Sequence, residues 1–167
     1  AGRDEGNQFD LAGTDEEGKE AALPQILNPS QYAPEMKFTL ARANARHIVS
    51  QLLGGGDVGM GGDHAIFKPA FSGAETPWHQ DGHYWPIGPL ANCTVWVALE
   101  ESTVENGCLR VIPRSHASRT LHEHLHEERT ELTLNQRLAA DSFDERSAVD
   151  IELEPGQMSL HDVYMIH

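Results

Sequence analysis

His79 and Asp81 have the residue types and the spacing of metal ligands. They lie two positions apart in Trp78-His79-Gln80-Asp81, and a further histidine, His167, closes the chain. On an extended segment, side chains two positions apart point to the same side, so His79 and Asp81 could bind one ion together. Two imidazoles and one carboxylate on one face of a metal suit non-haem Fe(II) and leave positions open for a co-substrate and O2. These residues therefore predict an iron oxygenase.

The His-x-Asp pair alone is a weak signal, because a chain with 10 histidines and 26 acidic residues forms such pairs by chance. Other histidines also compete for the role of a ligand. His161 and His167 share the same strand parity, so periodicity does not choose between them as the distant ligand. His122, His124 and His126 alternate with other residues in a charge-rich run. Such a run is either a second metal site or a solvated polar segment, and its composition favours the solvated segment.

The composition limits the classes of partner. The 167 residues are enough for one domain that buries about 70% of the surface exposed by its unfolded chain. With 12 basic against 26 acidic residues, the net charge of −14 disfavours nucleic acid as a partner. The same charge repels an anionic co-substrate, so the pocket of such a ligand needs a local cation. Lys68, Arg110 and Arg114 are the candidates.

The cysteine content and the ends of the chain bear on location and completeness. Two cysteines, Cys93 and Cys108, do not make a disulfide framework, so we expect a cytoplasmic protein. The sequence has no charged-then-apolar leader and no apolar run near the roughly 20 residues that span a bilayer, so we expect no membrane partner. Because the chain starts at Ala1 and stops at His167 within an apolar segment, we expect a fragment that lacks its C-terminal strands and an N-terminal helix.

The pattern along the chain predicts mainly strands. Residues 1–22 are acidic with little periodicity and predict a polar tail or loop. Apolar residues at helical spacing in 34–53, stopped by three glycines, predict a helix packed against a sheet. Short apolar runs bounded by turn residues predict strands at 64–68, 93–99, 108–113, 149–153 and 158–166. Asn106-Gly107 is the strongest hairpin signal.

One segment interrupts this rhythm. Residues 121–140 are rich in helix formers and predict an inserted helix or lid, within a helical or loop insertion that spans 117–148. The strands on either side predict an antiparallel sandwich or barrel that occupies residues 23–167.

Three blocks of sequence, read together, resemble the phytanoyl-CoA dioxygenase family. They are TPWHQDGHYWP (76–86), TVWVALEESTVENGCLRVIPRSH (94–116) and DIELEPGQMSLHDVYMIH (150–167). The blocks follow the order and approximate spacing of the family, and the resemblance extends over about 23–167. It implies a mainly β fold, the cupin-like double-stranded β-helix or jelly roll with flanking helices. It also implies an oxygenase that uses Fe(2+), 2-oxoglutarate and O2.

By resemblance, His79, Asp81 and His167 align with the three iron ligands of the family. His161 remains the rival for the last position, because the Gly-Ser that normally follows the family ligand lies beyond the end of this chain. For His161 we favour a partly buried histidine bonded to a neighbour. The arginine with which the family holds the far carboxylate of 2-oxoglutarate lies beyond the distal histidine, and no residue here takes that role.

The resemblance also places residues near the co-substrate and the substrate. Trp96 lies at the family position that lines the co-substrate, although it could equally be a core tryptophan. Lys68 either contributes charge there or is a surface lysine. Arg114 stands where the family commonly has glycine, and it either brings a cation towards the substrate or is an exposed arginine.

The predicted reaction is hydroxylation of an unactivated C–H bond of a small molecule, with release of succinate and CO2. Asp81 keeps the carboxylate that halogenating relatives replace, which favours hydroxylation. His83, Tyr84 and Trp85 form either a substrate wall or ordinary core. The alternatives are a cupin-like metalloprotein with 2-oxoglutarate-independent chemistry and a catalytically degenerate binding domain. The sequence indicates neither the substrate nor the oligomeric state.

Overall fold

The computed structural model describes residues 8–10, 23–71, 75–85, 88, 90–129 and 132–167. These residues belong to two compact units. The first comprises Ala1–Pro77 and Glu127–Asn135, and the second comprises Trp78–His126 and Gln136–His167. No helix in the described part of the chain is long and apolar enough to span a bilayer.

The first unit contains a three-stranded antiparallel sheet in the order β1-β2-β3. Its strands are β1 (Gln8–Asp10), β2 (Pro24–Leu27) and β3 (His64–Ile66). The carboxylate of Asp10 is buried and accepts a hydrogen bond from the backbone N–H of Leu23 at 2.8 Å. The prediction of a polar tail is therefore wrong at Gln8–Asp10, because these residues pair with β2. The rest of 1–22 lies outside the described residues.

The predicted helix is present as α1 (Leu40–Leu52). It begins at Thr39, whose hydroxyl oxygen accepts a hydrogen bond from the backbone N–H of Arg42. It ends at Leu52 and is followed at residues 54–56 by three glycines with φ between 91° and 96°. The start and the end of the helix follow ordinary capping chemistry.

The helix does not bury the apolar positions that suggested its packing against a sheet. Leu40, Ile48 and Leu52 are 75%, 36% and 63% exposed, and Ala45 is the buried residue of α1. The prediction of a sheet-packed apolar stripe is therefore wrong for these side chains.

The second unit consists of nested antiparallel strand pairs. Its strands are β4 (Cys93–Val97), β5 (Leu109–Val111), β6 (His124–His126), β7 (Gln136–Leu138), β8 (Val149–Ile151) and β9 (Met158–Asp162). β4 pairs with β9, β5 with β8 and β6 with β7. The outermost pair thus encloses the next, as in a double-stranded β-helix. The predicted mainly β jelly roll is confirmed, although these sheets are small and not closed.

Two local predictions for this unit are wrong. Residues 121–140 contain the β6–β7 pair in place of an inserted α-helix, because their backbone groups pair in the register His124↔Leu138. Asn106-Gly107 forms a turn with Gly107 at φ 80°, but the strands on either side pair elsewhere, with β9 and β8. The turn therefore passes the chain between sheets and does not close a hairpin.

The core of the second unit lies next to the residues that carry the candidate ligands. Its buried side chains are Ile112, Leu138 and Ile166, and the half-buried Trp78, Phe143 and Ala148 pack against them. Trp78 and Ile166 immediately precede His79 and His167. Since neighbouring side chains on an extended backbone point in opposite directions, burial of these two apolar residues turns both histidines away from the core.

Candidate metal centre

His79 and His167 form a backbone pair at the centre of the candidate site. The N–H of His79 donates to the carbonyl of His167 at 2.8 Å, and the N–H of His167 donates to the carbonyl of His79 at 3.1 Å. Their rings lie 4.2 Å apart between centroids. Antiparallel pairing therefore brings two histidines that are distant in sequence to the same place.

Asp81 completes the group from a 3₁₀ turn, Asp81–His83, that follows the extended residue Gln80. Oδ1 of Asp81 lies 3.6 Å from Nε2 of His79 and 3.7 Å from Nε2 of His167. One ligand atom from each of the three residues lies within 4.8 Å of the others. The predicted same-side arrangement of His79 and Asp81 is thus present in the structure.

The turn after Asp81 needs a glycine. The N–H of Gly82 donates to the carbonyl of Val163 at 2.9 Å, so the two backbones are close together. A Cβ atom at Gly82 would lie 3.1 Å from that carbonyl oxygen and 3.0 Å from Cδ2 of Leu121. The glycine therefore permits the approach that fixes the turn carrying Asp81.

The charges of the group suit a divalent cation. Burial by itself raises the pKa of Asp81, but the nearby His161 and His79, with the hydroxyl of Thr94, outweigh burial and hold the pKa well below its usual range. Burial lowers the pKa of His167 to about 3, helped by the neighbouring imidazoles. An anionic carboxylate and a neutral imidazole are the protonation states in which these side chains bind metals.

A backbone contact orients the ring of His167. Its Nδ1 lies 3.0 Å from the carbonyl oxygen of Met165, and a carbonyl can only accept. This partner assigns the proton of the neutral ring to Nδ1 and leaves a lone pair on Nε2, the atom that faces Asp81.

The outer oxygen of the Asp81 carboxylate has its own partners. The hydroxyl of Thr94 donates to Oδ2 at 2.5 Å, and Nε2 of His161 lies 3.4 Å from the same oxygen. His161 is 5% exposed. A hydrogen bond to a charged group contributes about 1.5–3 kcal/mol. The structure thus places His161 beside the carboxylate of Asp81, with its ring 4.3 Å from the ring of His167 between centroids.

Gln80, between two candidate ligands, is fully buried and has all its polar groups paired. Its side-chain nitrogen donates to the carbonyls of Thr120 and Tyr164 at 3.0 and 2.7 Å, and its side-chain oxygen accepts from the N–H of His122 at 2.8 Å. Its own N–H donates to Nε2 of His124 at 3.2 Å. As the sequence predicts, Gln80 faces away from the candidate ligands. Its hydrogen bonds fix the His79–Asp81 segment on the side opposite to the ligand atoms.

His124 is half-buried, contrary to the expected solvated run. Nδ1 of His124 lies 3.0 Å from the carbonyl oxygen of His122, while Nε2 accepts from Gln80. Burial, together with the nearby His83 and His79, lowers the pKa of His124 to about 4. Both ring nitrogens therefore make contacts within the protein. His126 is exposed, as predicted.

The three residues of the predicted substrate wall, His83, Tyr84 and Trp85, differ in their exposure to solvent. Tyr84 contacts the ring of His79 edge-on, with centroids 5.9 Å apart. The hydroxyl oxygen of Tyr84 is buried and has no hydrogen-bond partner among the described residues. His83 is exposed, stacks on His124 and lies 2.7 Å from the side-chain oxygen of Gln136. Trp85 is 36% exposed.

The predicted co-substrate residues fall in different units. Trp96 lies on β4, half-buried and two residues after Thr94, so alternation puts both side chains on one face of the strand. Lys68 is exposed and belongs to the first unit, after β3. Its role remains a prediction.

Two predicted cations are at the surface of the second unit. Arg110 donates to Asp150 at 2.8 Å and lies 3.8 Å from Glu145, so its charge is already paired. Arg114 is exposed and adopts a left-handed conformation with φ 66°. Glycine adopts this conformation without strain, so an arginine is less suited to the turn than a glycine would be.

Sequence reasoning missed Thr94 and the supporting role of His124. Alternation along β4 puts Thr94 on the face of Trp96, which was a usable signal. The contact of Thr94 with Asp81 depends on the β4–β9 register and on the 3₁₀ turn at Asp81, and neither follows from residue spacing.

Comparison with known proteins identifies the family. The sequence model described as "Phytanoyl-CoA dioxygenase (PhyH)" matches residues 3–167. The chain belongs to the phytanoyl-CoA dioxygenase family. Among relatives in this family, the Phytanoyl-CoA dioxygenase domain-containing protein 1 homolog of Dictyostelium discoideum is 33% identical over 104 residues, which are 61% of this chain and 37% of that protein. The Phytanoyl-CoA dioxygenase of Arabidopsis thaliana is 31% identical over 102 residues, which are 61% of this chain and 35% of that protein.

Solved structures of EvdO2 from Micromonospora carbonacea var. aurantiaca share the fold of this family member. One is 33% identical with a TM-score of 0.71, over 86% of this chain and 58% of that chain. The other, complexed with 2-oxoglutarate, is 32% identical with a TM-score of 0.71, over 91% of this chain and 62% of that chain. The chain thus spans little more than a third of the two named relatives and about three fifths of EvdO2.

Proposed function

We propose that this protein is an Fe(II)- and 2-oxoglutarate-dependent dioxygenase that hydroxylates an unactivated C–H bond of a small molecule, with release of succinate and CO2. The observation that carries the proposal is the close approach of ligand atoms from His79, Asp81 and His167, all within 4.8 Å. Membership of the phytanoyl-CoA dioxygenase family and the likeness to EvdO2, solved with 2-oxoglutarate, support it.

The donor set fits Fe(II). Two imidazole nitrogens and one carboxylate oxygen from a facial group suit this metal and leave coordination positions open. When bound there, Fe(II) supplies the capacity to activate O2 for attack on a C–H bond. His79, Asp81 and His167 are the residues that would hold it. The low pKa of Asp81 and the neutral ring of His167 keep these groups ready to bind.

Trp96 and Lys68 are the residues that we propose for the co-substrate. Trp96 is on the face of β4 that also carries Thr94, and Thr94 contacts Asp81. We therefore expect the indole of Trp96 on the side of the sheet where the candidate ligands meet. A cation such as Lys68 would offset the net charge of −14 for a dianionic ligand.

For the substrate we propose the segment that follows Asp81, with Arg114 as a further contact. The buried hydroxyl of Tyr84 lacks a hydrogen-bond partner among the described residues, which is costly unless a ligand supplies one. His83 and Trp85 flank it and would complete the wall. The proposed place of action is the cytoplasm, because the described cysteines, Cys93 and Cys108, are free thiols.

Succinate formation tests the proposal. The protein is incubated with Fe(II), 2-oxoglutarate and air, and succinate is quantified by mass spectrometry beside an Asp81→Ala variant. Succinate that depends on Fe(II), on 2-oxoglutarate and on Asp81 supports the proposal. Iron binding without succinate from any of a panel of small-molecule substrates would favour the cupin-like alternative, and failure to bind iron would favour a degenerate binding domain.

A further inference from the structure

The two oxygens of the Asp81 carboxylate have different surroundings. Oδ1 faces Nε2 of His79 at 3.6 Å and Nε2 of His167 at 3.7 Å. Oδ2 faces the hydroxyl of Thr94 at 2.5 Å and Nε2 of His161 at 3.4 Å. The inner oxygen is therefore directed at the candidate metal position, and the outer oxygen is directed at the β4–β9 sheet.

We propose that Thr94 and His161 are positioning residues that hold Oδ2 of Asp81, so that the carboxylate binds the metal through Oδ1 alone. The inference rests on the proposed function, because it assumes that His79, Asp81 and His167 bind the metal. We refer to Thr94 and His161 together as the carboxylate clamp.

The clamp is a direct consequence of strand register. Thr94 and His161 are opposite partners in the β4–β9 pair. Side chains of directly opposed residues emerge on the same face of a sheet and stand close together. Both therefore reach one oxygen atom from a rigid two-stranded base, and neither depends on a loop for its position.

The shape of the site explains why one bound oxygen matters. Carboxylates bind metals through one oxygen or through both. A second bound oxygen would occupy one of the positions that a facial group leaves open for a co-substrate and O2. To bind through both oxygens, the carboxylate would have to rotate and turn Oδ2 towards the metal. The hydrogen bond that Thr94 donates to Oδ2 opposes this rotation, because the rotation would break it.

His161 fits the clamp better than it fits a ligand position. Its Nε2 lies 3.4 Å from the outer oxygen of Asp81, at ion-pair distance, and its ring packs against the ring of His167 with centroids 4.3 Å apart. The metal-ligand group that the described residues form contains His79, Asp81 and His167. A buried imidazole beside the carboxylate, outside that group, is placed to orient Asp81.

Co(II) alone is the probe for the test. Its dissociation constant, its stoichiometry and the intensity of its visible bands, which reports coordination number, are measured for the parent chain and for Thr94→Val and His161→Leu. Thr94→Ser and His161→Gln retain a donor towards Oδ2 and serve as rescue variants. Thr133→Val is the matched control, because it removes the hydroxyl of a different threonine, a buried residue whose hydroxyl donates to Thr76.

The clamp predicts that every variant binds one Co(II) per chain, while Thr94→Val and His161→Leu bind it about tenfold more weakly. Their visible bands should shift towards higher coordination, and the rescue and control variants should match the parent. Circular dichroism checks folding, and if Thr94→Val does not fold, the comparison of His161→Leu with His161→Gln decides.

Three results would overturn the inference. Parent-like affinity and band intensity in both Thr94→Val and His161→Leu would show that Oδ2 needs no partner. Complete loss of Co(II) in His161→Leu, with Thr94→Val unaffected, would make His161 a ligand. A parent chain that binds no Co(II) would overturn the clamp and the proposed function together, whereas a parent that binds Co(II) but forms no 2-oxoglutarate complex would overturn the proposed function alone.

Discussion

Thr94 and His161 lie opposite each other on β4 and β9, and both reach the same oxygen of Asp81. The strand pair that builds the β-helix thus also supports one of the candidate ligands. His79 and His167 are joined in the same manner, by two backbone hydrogen bonds between extended segments. The geometry of the site therefore depends on strand pairing more than on loops.

Replacing His167 with alanine should abolish Co(II) binding, because it removes one of the three ligand atoms that lie within 4.8 Å of each other. Asp81→Ala should do the same. His161→Ala should leave the stoichiometry at one metal per chain. A visible titration of each variant with Co(II) measures this, and the reverse pattern for the two histidines would identify His161 as the ligand.

Gln80→Leu should lower the free energy of unfolding by at least about 1.5 kcal/mol, because it removes three part-buried hydrogen bonds made by the buried Gln80 side chain, worth about 0.5–1.5 kcal/mol each. The partners in these bonds are the carbonyls of Thr120 and Tyr164 and the N–H of His122. Urea unfolding followed by circular dichroism gives the value. Gln80→Glu, which keeps the acceptor, is the comparison, and a loss below about 1 kcal/mol in Gln80→Leu would contradict this role.

Ile166→Ala should cost about 2–5 kcal/mol in the free energy of unfolding, because Ile166 is 1% exposed in the core next to His167. The same variant should weaken Co(II) binding, since the residue that orients His167 has lost its packing. Leu99→Ala is the control: Leu99 is 81% exposed and should change stability by less than about 0.5 kcal/mol. Equal effects of the two substitutions would show that Ile166 does not anchor this strand.

Arg114→Gly should stabilise the fold by about 1 kcal/mol, because Arg114 adopts φ 66°, a left-handed conformation that strains residues with a Cβ atom. Arg114→Ala keeps the Cβ atom and should leave the stability nearly unchanged. Chemical denaturation distinguishes the two variants. A destabilised Arg114→Gly would indicate that the arginine side chain makes a contact worth more than the strain.

Acid should destabilise the metal-free protein through His124. The folded state lowers the pKa of His124 from 6.5 to about 4, mainly by burial. Between these values the unfolded chain binds a proton that the folded chain does not, so stability is complete above pH 6.5 and decreases as the pH falls towards 4. Thermal unfolding in the presence of a chelator, at about pH 7 and about pH 5, should show a smaller decrease for His124→Gln than for the parent. An identical decrease would mean that His124 titrates normally.

Local patterns were enough to predict five of the nine strands in the described residues and the sides on which some side chains lie. β3, β4, β5, β8 and β9 all fall within the runs predicted from short apolar segments. The alternation at residues 79–81 also predicted that Gln80 faces away from its two neighbours. Both properties depend on the two-residue period of extended backbone, which the sequence displays directly.

Register and long-range pairing could not be predicted in this way. Residues 121–140 contain strong helix formers, yet pairing of His124 with Leu138 overrides that preference. Thr94 is an ordinary strand residue until β9 places His161 opposite it. Contacts between residues far apart in the chain decide these features, and the resemblance to a family supplied the candidate ligands but not their supporting residues.

The most direct test of the proposed metal site is an anaerobic visible spectrum recorded as Fe(II) and then 2-oxoglutarate are added to the protein. We expect a new charge-transfer band that appears only when both are present and that is absent in the Asp81→Ala variant. Iron binding at His79, Asp81 and His167 without that band, or the same band in Asp81→Ala, would contradict this expectation.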